Sequence, residues 1–155
     1  MKKGFTLIEL MVVIAIIGIL TAIITANLAQ SKSKSRDAKR ISDIAQLQLA
    51  LELFFDRCNV YPSTLATGST NGSCPPDPVS GQQINLGNFI AQIPSDPTAG
   101  STYLYGVNNA ATPTDYVLHA QLENPSTLDR YTGTTNIYSP VTSCAGTNDY
   151  CMLPR

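Results

Sequence analysis

A long apolar run extends from Phe5 to Leu28, and a single charged side chain, Glu9, interrupts it. The run contains no proline and only one glycine, Gly18. A helix of about 20 residues crosses the ~30 Å hydrocarbon core of a bilayer, so this run is long enough for a transmembrane segment. A carboxylate at the centre of such a helix costs about 2.5–3.5 kcal/mol on insertion scales, and less near the interface. We therefore expect Glu9 to have a partner.

Two simpler explanations of the apolar run account for less of the sequence. A secretory signal peptide has an apolar region of about 7–15 residues and an Ala-x-Ala-like cleavage site, whereas this run is longer and has no such site before its end. A plain single-span anchor fits the length of the run. It explains neither Glu9 nor the very short leader Lys2-Lys3-Gly4.

The N-terminal motif Lys2-Lys3-Gly4 followed by Phe5-Thr6-Leu7-Ile8-Glu9-Leu10 resembles the class III signal of type IV pilins and type II secretion pseudopilins. The resemblance implies that a prepilin peptidase cuts after Gly4 and methylates the new N-terminus at Phe5. It also implies that the α-amine of Phe5 pairs with Glu9 of an adjacent subunit. Because breaking a desolvated ion pair leaves an uncompensated charge, such a pair would order subunits in a filament.

A second helical pattern, with two apolar faces, follows the membrane run. The main stripe recurs at three- and four-residue steps and consists of Ile41, Ile44, Leu47, Leu51, Phe54 and Cys58, with Phe55 at its margin. The narrower line consists of Ala45, Leu49 and Leu53. We expect the main stripe to hold the chain's own head and the narrower line to meet neighbours. The alternative is a helix buried on both sides within one domain.

The two helical patterns are predicted to form one continuous helix, since no proline occurs between Phe5 and Arg57. Residues 1–4 are then the leader, 5–28 the transmembrane half of the helix, 29–57 its amphipathic half, and 58–155 a globular head. This arrangement resembles the long N-terminal helix of the pilin family. Many type IV pilins carry a proline in the outer half of the membrane helix, and its absence here favours a pseudopilin.

A basic run follows the apolar segment, and it has three possible explanations. It consists of Lys32, Lys34, Arg36, Lys39 and Arg40. We favour a solvated helix face that meets acids on a neighbouring subunit, followed by contact with lipid phosphates. Nucleic-acid binding is the least favoured, because the run is short and contains no aromatic residue for stacking.

The head is predicted to contain a short helix and two antiparallel strands. The apolar spacing from Leu86 to Ile93 predicts the helix, with Asn85 as its N-cap and Pro94 at its end. Alternation with period two predicts strands at 103–107 and 116–122, paired across 108–115. Tyr116, Leu118, Ala120 and Leu122 share one side of the second strand.

Short motifs in the head resemble the globular domain of major pseudopilins and related pilins. They are Tyr61-Pro62, Ile93-Pro94-Ser95-Asp96-Pro97, Tyr103-Leu104-Tyr105-Gly106 and Asp115-Tyr116-Val117-Leu118. The resemblance implies an α+β pilin fold, in which the long helix packs on a small antiparallel sheet. Major pseudopilins are commonly described with a calcium site in the last loops of the head. The acids available for one here are Asp115, Glu123, Asp129 and Asp149, but their spacing is unlike that of an EF-hand, and we assign no metal site.

Four cysteines, Cys58, Cys74, Cys144 and Cys151, lie in the head or at its boundary. None belongs to a Cys-x-x-Cys pair, and the chain has one histidine, so a zinc site has little support. An even number of cysteines in an exported head favours disulfides. Of the three pairings we favour Cys58–Cys74 and Cys144–Cys151, because each closes a short polar loop. Many type IV pilins have a comparable C-terminal disulfide loop.

The sequence predicts a structural protein and not an enzyme. Its single histidine, His119, is expected on the solvated side of a strand, and no nucleophile motif or phosphate-binding loop accompanies it. The leading hypothesis is a prepilin that is cleaved after Gly4 and assembled into a type IV pilus. The alternatives are the major pseudopilin of a type II secretion system and a membrane-anchored binding domain that does not polymerise. The cysteines and the Ser/Thr-rich head favour the pilin, and the head motifs favour the pseudopilin.

The resemblance also implies partners and a location. The partners are other copies of the chain, the prepilin peptidase, an inner-membrane assembly platform and, before assembly, the membrane itself. Nucleic acid is expected only through the function of an assembled pilus. The chain would cross the inner membrane once with its head on the extracytoplasmic side, and would then enter a cell-surface pilus or a periplasmic pseudopilus.

Overall fold

The computed structural model describes residues 4–124 and 131–154, and within the helix it leaves out the side chains of residues 23–27. A long helix, α1 (Leu7–Cys58), is followed by a short 3₁₀ helix (Leu86–Asn88). Three strands follow: β1 (Leu104–Val107), β2 (Tyr116–Gln121) and β3 (Asp149–Met152). They form an antiparallel sheet in the order β1-β2-β3. The predicted α+β pilin fold, a long N-terminal helix with a small antiparallel sheet, is confirmed.

The chain divides into a first unit, residues 1–35, and a second unit, residues 36–155. In the first unit the large apolar side chains from Phe5 to Leu20 are between 48% and 89% exposed, so they form no core of their own. Within the part of the chain that the structure describes, no helix combines the length and apolar character needed to cross a membrane. The expected membrane segment, 5–28, includes the side chains of 23–27, which lie outside the described part of the chain.

In the second unit, the main apolar stripe of α1 packs directly against the sheet. Leu47, Leu51 and Phe54 are fully buried, and they share one core cluster with Tyr116 and Leu118 of β2. Since the side chains of a strand alternate between its two faces, the even-numbered residues of β2 all lie on the side of this core. The expectation that the head takes part of its core from the helix is confirmed.

The narrower apolar line of α1 remains outside this core. Leu49 is 61% exposed and Leu53 is 44% exposed, and Ala45 one turn earlier is exposed as well. The alternative of a helix buried on both sides within one domain is therefore wrong.

The predicted strand pair is confirmed, and a third strand joins it. Leu104 pairs with His119 and Val107 with Tyr116, across the predicted connection. β3 pairs with the other side of β2, where Cys151 lies opposite His119. This third strand was missed because it is four residues long and its sequence, Asp-Tyr-Cys-Met, does not alternate between polar and apolar residues.

His119 was expected in solvent, and that expectation is wrong. The residue is 9% exposed, because a second apolar cluster covers its side of the sheet. This cluster contains Val117 beside the C-terminal residues Val141, Cys144 and Cys151. The C-terminal segment thus acts as a second layer, which the alternation of β2 alone could not reveal.

The predicted helix from Leu86 to Ile93 is also wrong beyond its first turn. Only Leu86–Asn88 is helical, and the N–H of Asn85 is bonded to the Asn88 side chain at 2.9 Å. Gly87 has a low helix propensity, and a proline at position 94 disfavours helical geometry at Ile93. Phe89, Ile90 and Ile93 nevertheless pack on the core. Their helix-like spacing therefore arises because one side of this non-helical segment is buried.

Candidate assembly determinants

The N-terminus of α1 is closed by a reciprocal pair of hydrogen bonds between Thr6 and Glu9. The Thr6 N–H and hydroxyl donate to Glu9 Oε2 at 2.8 and 2.7 Å, and the Glu9 N–H donates to Thr6 Oγ1 at 3.3 Å. This is a capping box, in which an N-cap side chain and the acid three residues later satisfy each other's free backbone donors. The Thr-x-x-Glu signature of this box is present in the sequence at Thr6 and Glu9, although Thr6 was not among the predicted site residues.

Phe5 immediately precedes this cap and is 89% exposed. Phe5, Ile8, Glu9, Val12 and Val13 together line a shallow, mostly apolar recess on the first turns of the helix. Gly4 and Phe5, the predicted cleavage pair, precede the first helical residue, Leu7. The predicted cleavage bond therefore lies in non-helical backbone next to the capping box.

A buried arginine, Arg40, joins α1 to the loops of the head. Its Nε and Nη2 donate to the two carboxylate oxygens of Asp96 at 2.7 and 3.0 Å. Its Nη1 donates to Asp37 at 2.7 Å and to Glu123 at 3.0 Å, and Nη2 also donates to the Thr98 hydroxyl at 2.7 Å. The Arg40 and Asp96 side chains are each 2% exposed. We call Arg40, Asp37, Asp96 and Glu123 the Arg40 network.

Asp37 adds backbone contacts to this network. Its Oδ1 accepts the N–H of Glu123 and its Oδ2 accepts the N–H of Asn124, both at 2.9 Å. These two N–H groups lie two and three residues after the end of β2, so Asp37 connects the segment that follows the strand to the helix. A buried carboxylate with several donors of this kind is stable only in its ionised form.

The network lowers the pKa values of its acids. Hydrogen bonds from Arg36 and then from Arg40 lower the pKa of Glu123 to about 2. The guanidinium of Arg40 holds the pKa of Asp96 below its usual value. Burial acts to raise the pKa of Asp37, but the donors of Glu123, Asn124 and Arg40 outweigh it and lower the pKa. All three carboxylates are therefore ionised at neutral pH.

These contacts correct the favoured explanation of the basic run. Arg40 and Arg36 bind acids of the same chain, and Lys39 binds Asp43 at 2.7 Å one turn later on the helix. The acids were expected on a neighbouring subunit. The reason for the difference is that the sheet and the turn at Asp96 bring residues that are distant in sequence onto this part of α1. Lys32 and Lys34 are exposed.

The cysteines form the two disulfides that were preferred from the sequence, Cys58–Cys74 and Cys144–Cys151. Their Cα atoms lie 4.5 and 5.9 Å apart. The first joins the last residue of α1 to the polar loop that follows it. The second joins β3 to the loop before it and lies in the apolar cluster that covers His119.

The acids that were considered as calcium ligands each have a different partner, as far as the structure describes them. Asp115 accepts the Tyr138 hydroxyl at 2.6 Å, Glu123 belongs to the Arg40 network, and Asp149 contacts His119 Nε2 at 3.2 Å. Asp129 lies outside the described residues. Within residues 4–124 and 131–154, no group of three or more His, Cys, Asp and Glu side chains is arranged so that it could hold a metal ion.

Comparison with known proteins agrees with the N-terminal geometry. Residues 1–25 match the family model of the prokaryotic N-terminal methylation motif. The chain is 37% identical to the type II secretion system core protein G of Vibrio cholerae serotype O1 over 110 residues, which cover 67% of this chain and 70% of that protein. It is 35% identical to the core protein G of Escherichia coli K12 over 62% of this chain and 66% of that protein.

A fimbrial protein is similar over a longer span. The chain is 31% identical to the type IV major fimbrial protein FimA of Dichelobacter nodosus over 125 residues, which cover 72% of this chain and 76% of that protein. No solved structure matches the chain significantly. The chain belongs to the family of type IV pilins and type II secretion pseudopilins.

Proposed function

We propose that this chain is a structural subunit that is cleaved after Gly4, methylated on Phe5 and assembled into a filament with other copies of itself. The observation that carries the proposal is the position of Glu9. Its carboxylate lies in the first turn of α1 and is the single charge in the apolar run from Phe5 to Leu28, four residues after the N-terminus that cleavage would create. The methylation-motif match over residues 1–25 supports processing at this point.

The geometry of Glu9 supports a contact between subunits. Its three hydrogen bonds to Thr6 use Oε2 and the backbone N–H. Among the described residues, Oε1 has no hydrogen bond, so it is the atom available to a neighbour's Phe5 amine. Such an ion pair in lipid would hold two helices in a fixed axial stagger, because either charge alone is costly there.

The apolar side chains of the subunit support polymerisation in a second way. The large apolar side chains from Phe5 to Leu20 are 48% to 89% exposed, and α1 also exposes Leu49 and Leu53. In the proposed filament, lipid covers the membrane half of α1 before assembly and neighbouring subunits cover it afterwards. The proposed location follows: a single-pass inner-membrane protein with an extracytoplasmic head, then a filament.

The first candidate for the filament is a type IV pilus. The two head disulfides and the longer span shared with the fimbrial protein favour it. A type II secretion pseudopilus is the second candidate, and the higher identity to the core protein G sequences favours it. In either filament the role is structural and requires no catalytic site.

The simplest test of the proposal is to measure how Glu9→Gln affects filament assembly. The full chain is co-expressed with a prepilin peptidase and either a pilus or a type II secretion assembly platform, and sheared filaments are counted by electron microscopy. We expect membrane insertion to persist and filaments to be lost. Asp56→Asn is the matched control, since it neutralises an exposed acid in the second half of α1. Wild-type numbers of filaments from Glu9→Gln would contradict the proposal, and the platform that yields filaments identifies the machine.

A further inference from the structure

A polar pocket of about 340 Å³ lies at the end of α1. It is lined by Arg57 from the last turn of that helix, by part of the loop 77–84, and by Asn88 and Phe89 at the end of the 3₁₀ helix. This volume is at the lower end of the range of about 300–1,000 Å³ that is typical of pockets for small molecules. We call it the Arg57 pocket.

The carboxylate of Asp77 is held in place by its own loop. Its Oδ1 accepts the N–H of Val79 at 3.0 Å, and it accepts the N–H and the hydroxyl of Ser80 at 2.7 and 3.0 Å. Two backbone bonds close the same loop, since the Asp77 N–H donates to the Gln82 carbonyl and the Gly81 N–H donates to the Asp77 carbonyl, both at 2.8 Å. Among the described residues, Oδ2 of Asp77 has no hydrogen-bond partner, so it is a fixed acceptor available to a ligand.

Arg57 brings the opposite charge to the pocket without forming an ion pair with Asp77. Its side chain is exposed, and within residues 4–124 and 131–154 it makes no hydrogen bond or ion pair, so its five N–H donors are available. Hydrogen bonds from Ser80 and then from Val79 lower the pKa of Asp77, and the positive charge of Arg57 acts in the same direction. A ligand with one net charge would be attracted by one of these two residues and repelled by the other. The pair therefore favours a ligand without net charge.

Two uncharged amides of the pocket are also oriented by the protein. Gln83 Nε2 donates to the carbonyls of Asn71 and Cys74 at 3.4 and 2.9 Å, and this leaves its Oε1 as an acceptor. Asn88 Oδ1 accepts the N–H of Asn85 at 2.9 Å, and this leaves its Nδ2 as a donor. The pocket thus offers donors and acceptors together. A hydroxyl group both donates and accepts, so a ligand with several hydroxyls can satisfy both kinds of group.

Apolar side chains complete the lining of the Arg57 pocket. Ile84 is buried, and Phe89 is half-buried with its ring edge-on to Phe54 at a centroid distance of 6.0 Å. A sugar ring has hydroxyls around its rim and C–H groups on its faces. It therefore presents both the polar and the apolar surface that this lining requires, and it carries no net charge.

We propose that the Arg57 pocket binds a neutral sugar unit, either free or at the end of a glycan. Arg57 and Asn88 donate to the hydroxyls of the sugar, and Asp77 Oδ2 and Gln83 Oε1 accept from them. The ring packs on Phe89. Because groups that lose water on binding must find new partners, a ligand rich in hydroxyls is favoured over an apolar one. This binding is separate from the Glu9 contact and does not require polymerisation.

The test uses the full chain in micelles of a detergent without a sugar headgroup. The probes are the methyl glycosides of glucose, galactose, mannose and N-acetylglucosamine, and NMR follows the side-chain N–H signals of Arg57, Gln83 and Asn88. We expect at least one glycoside to shift these signals to saturation with a millimolar dissociation constant. Arg57→Met and Asp77→Asn should each bind that glycoside about tenfold more weakly. Lys34→Met is the matched control, since it removes an exposed cation outside the pocket, and it should bind like the wild type.

Further probes identify the source of the sugar and test the charged alternatives. Tighter binding of the methyl glycoside than of the corresponding free sugar indicates the end of a glycan, and the reverse indicates a free monosaccharide. Either result supports the proposal. Signals that no glycoside shifts at tens of millimolar would overturn it, as would equal affinities of the wild type and Arg57→Met. Acetate or alanine that binds more tightly than every glycoside would also overturn it, because the ligand would then be a carboxylate.

Discussion

Thr6 and Glu9 satisfy each other's hydrogen-bonding groups at the first turn of α1, with the Thr6 hydroxyl 2.7 Å from Glu9 Oε2 and the Glu9 N–H 3.3 Å from Thr6 Oγ1. Glu9 therefore has two roles. Within its own chain it caps the helix, and in the proposed filament it pairs with a neighbour. Substitutions can separate these two roles, because a cap needs an acceptor and an ion pair needs a charge.

Thr6→Val should loosen the start of α1 while leaving the Glu9 charge intact. Removing an N-cap hydroxyl typically costs about 1 kcal/mol, so the amide of Glu9 should exchange roughly fivefold faster in the full chain in micelles. Thr6→Ser retains the hydroxyl and should exchange like the wild type. Equal exchange rates for the valine and serine variants would show that the capping box contributes nothing measurable.

Arg40→Met should destabilise the head severely. It leaves Asp96, whose side chain is 2% exposed, without its counter-ion, and breaking one partner of a buried pair typically costs about 3–5 kcal/mol. Urea unfolding followed by tyrosine near-UV circular dichroism measures the free energy of unfolding. Arg36→Met is the control. It breaks a pair with Glu123 in which the side chains are 37% and 32% exposed, and we expect a loss of at most about 1 kcal/mol. Similar losses in the free energy of unfolding for the two variants would contradict the claim that burial makes the Arg40–Asp96 pair the more important one.

Acid should weaken the head through the same network. Asp37, Asp96 and Glu123 have pKa values below their usual ones, so each contributes stability above its unfolded pKa and loses it as the pH falls through the folded pKa. For Glu123 that window runs from 4.5 down to about 2. The melting temperature should therefore fall steadily between these values. In Arg36→Met the pKa of Glu123 loses its main cause of lowering, so its window narrows from the low-pH end and the fall in melting temperature between these values should be smaller. A flat profile down to pH 2 would contradict the prediction.

Substitutions at Leu51 and Leu49 should have different effects. A change at Leu51 should lower the stability of the chain, whereas a change at Leu49 should impair filament assembly and leave stability almost unchanged. Leu51 is fully buried, and Leu51→Ala should cost about 2–5 kcal/mol in the free energy of unfolding. Leu49 is 61% exposed, and Leu49→Glu should change that free energy by no more than about 0.5 kcal/mol while reducing the number of filaments. Normal filaments from Leu49→Glu would exclude this side of α1 from subunit contacts.

The sequence was sufficient for features that depend on local periodicity. The apolar stripe through Leu47 and Leu51 identified the buried side of α1, and the alternation after Tyr116 identified β2 and its core side. Both signals are strong because a single element repeats them over several turns or residues. The cysteine preference rested on loop length, and both bonds in the structure close short loops of this kind.

The features that sequence reasoning missed depend on contacts between distant residues. Arg40 looked like a member of a solvated run, but Asp96 and Glu123 reach it from loops more than fifty residues away. His119 looked exposed, because the cluster that covers it comes from the C-terminal segment. Thr6 is a different case, since its Thr-x-x-Glu signature is local and can be recognised from the sequence alone.

The intact mass of the chain after co-expression with a prepilin peptidase tests the central claim most directly. We predict a product that has lost residues 1–4, begins at Phe5 and carries one additional methyl group. The same chain with Gly4→Leu should remain uncut, because the resemblance places cleavage after that glycine. A wild-type chain that retains Met1 to Gly4 in the presence of active peptidase would contradict the assignment as a filament subunit.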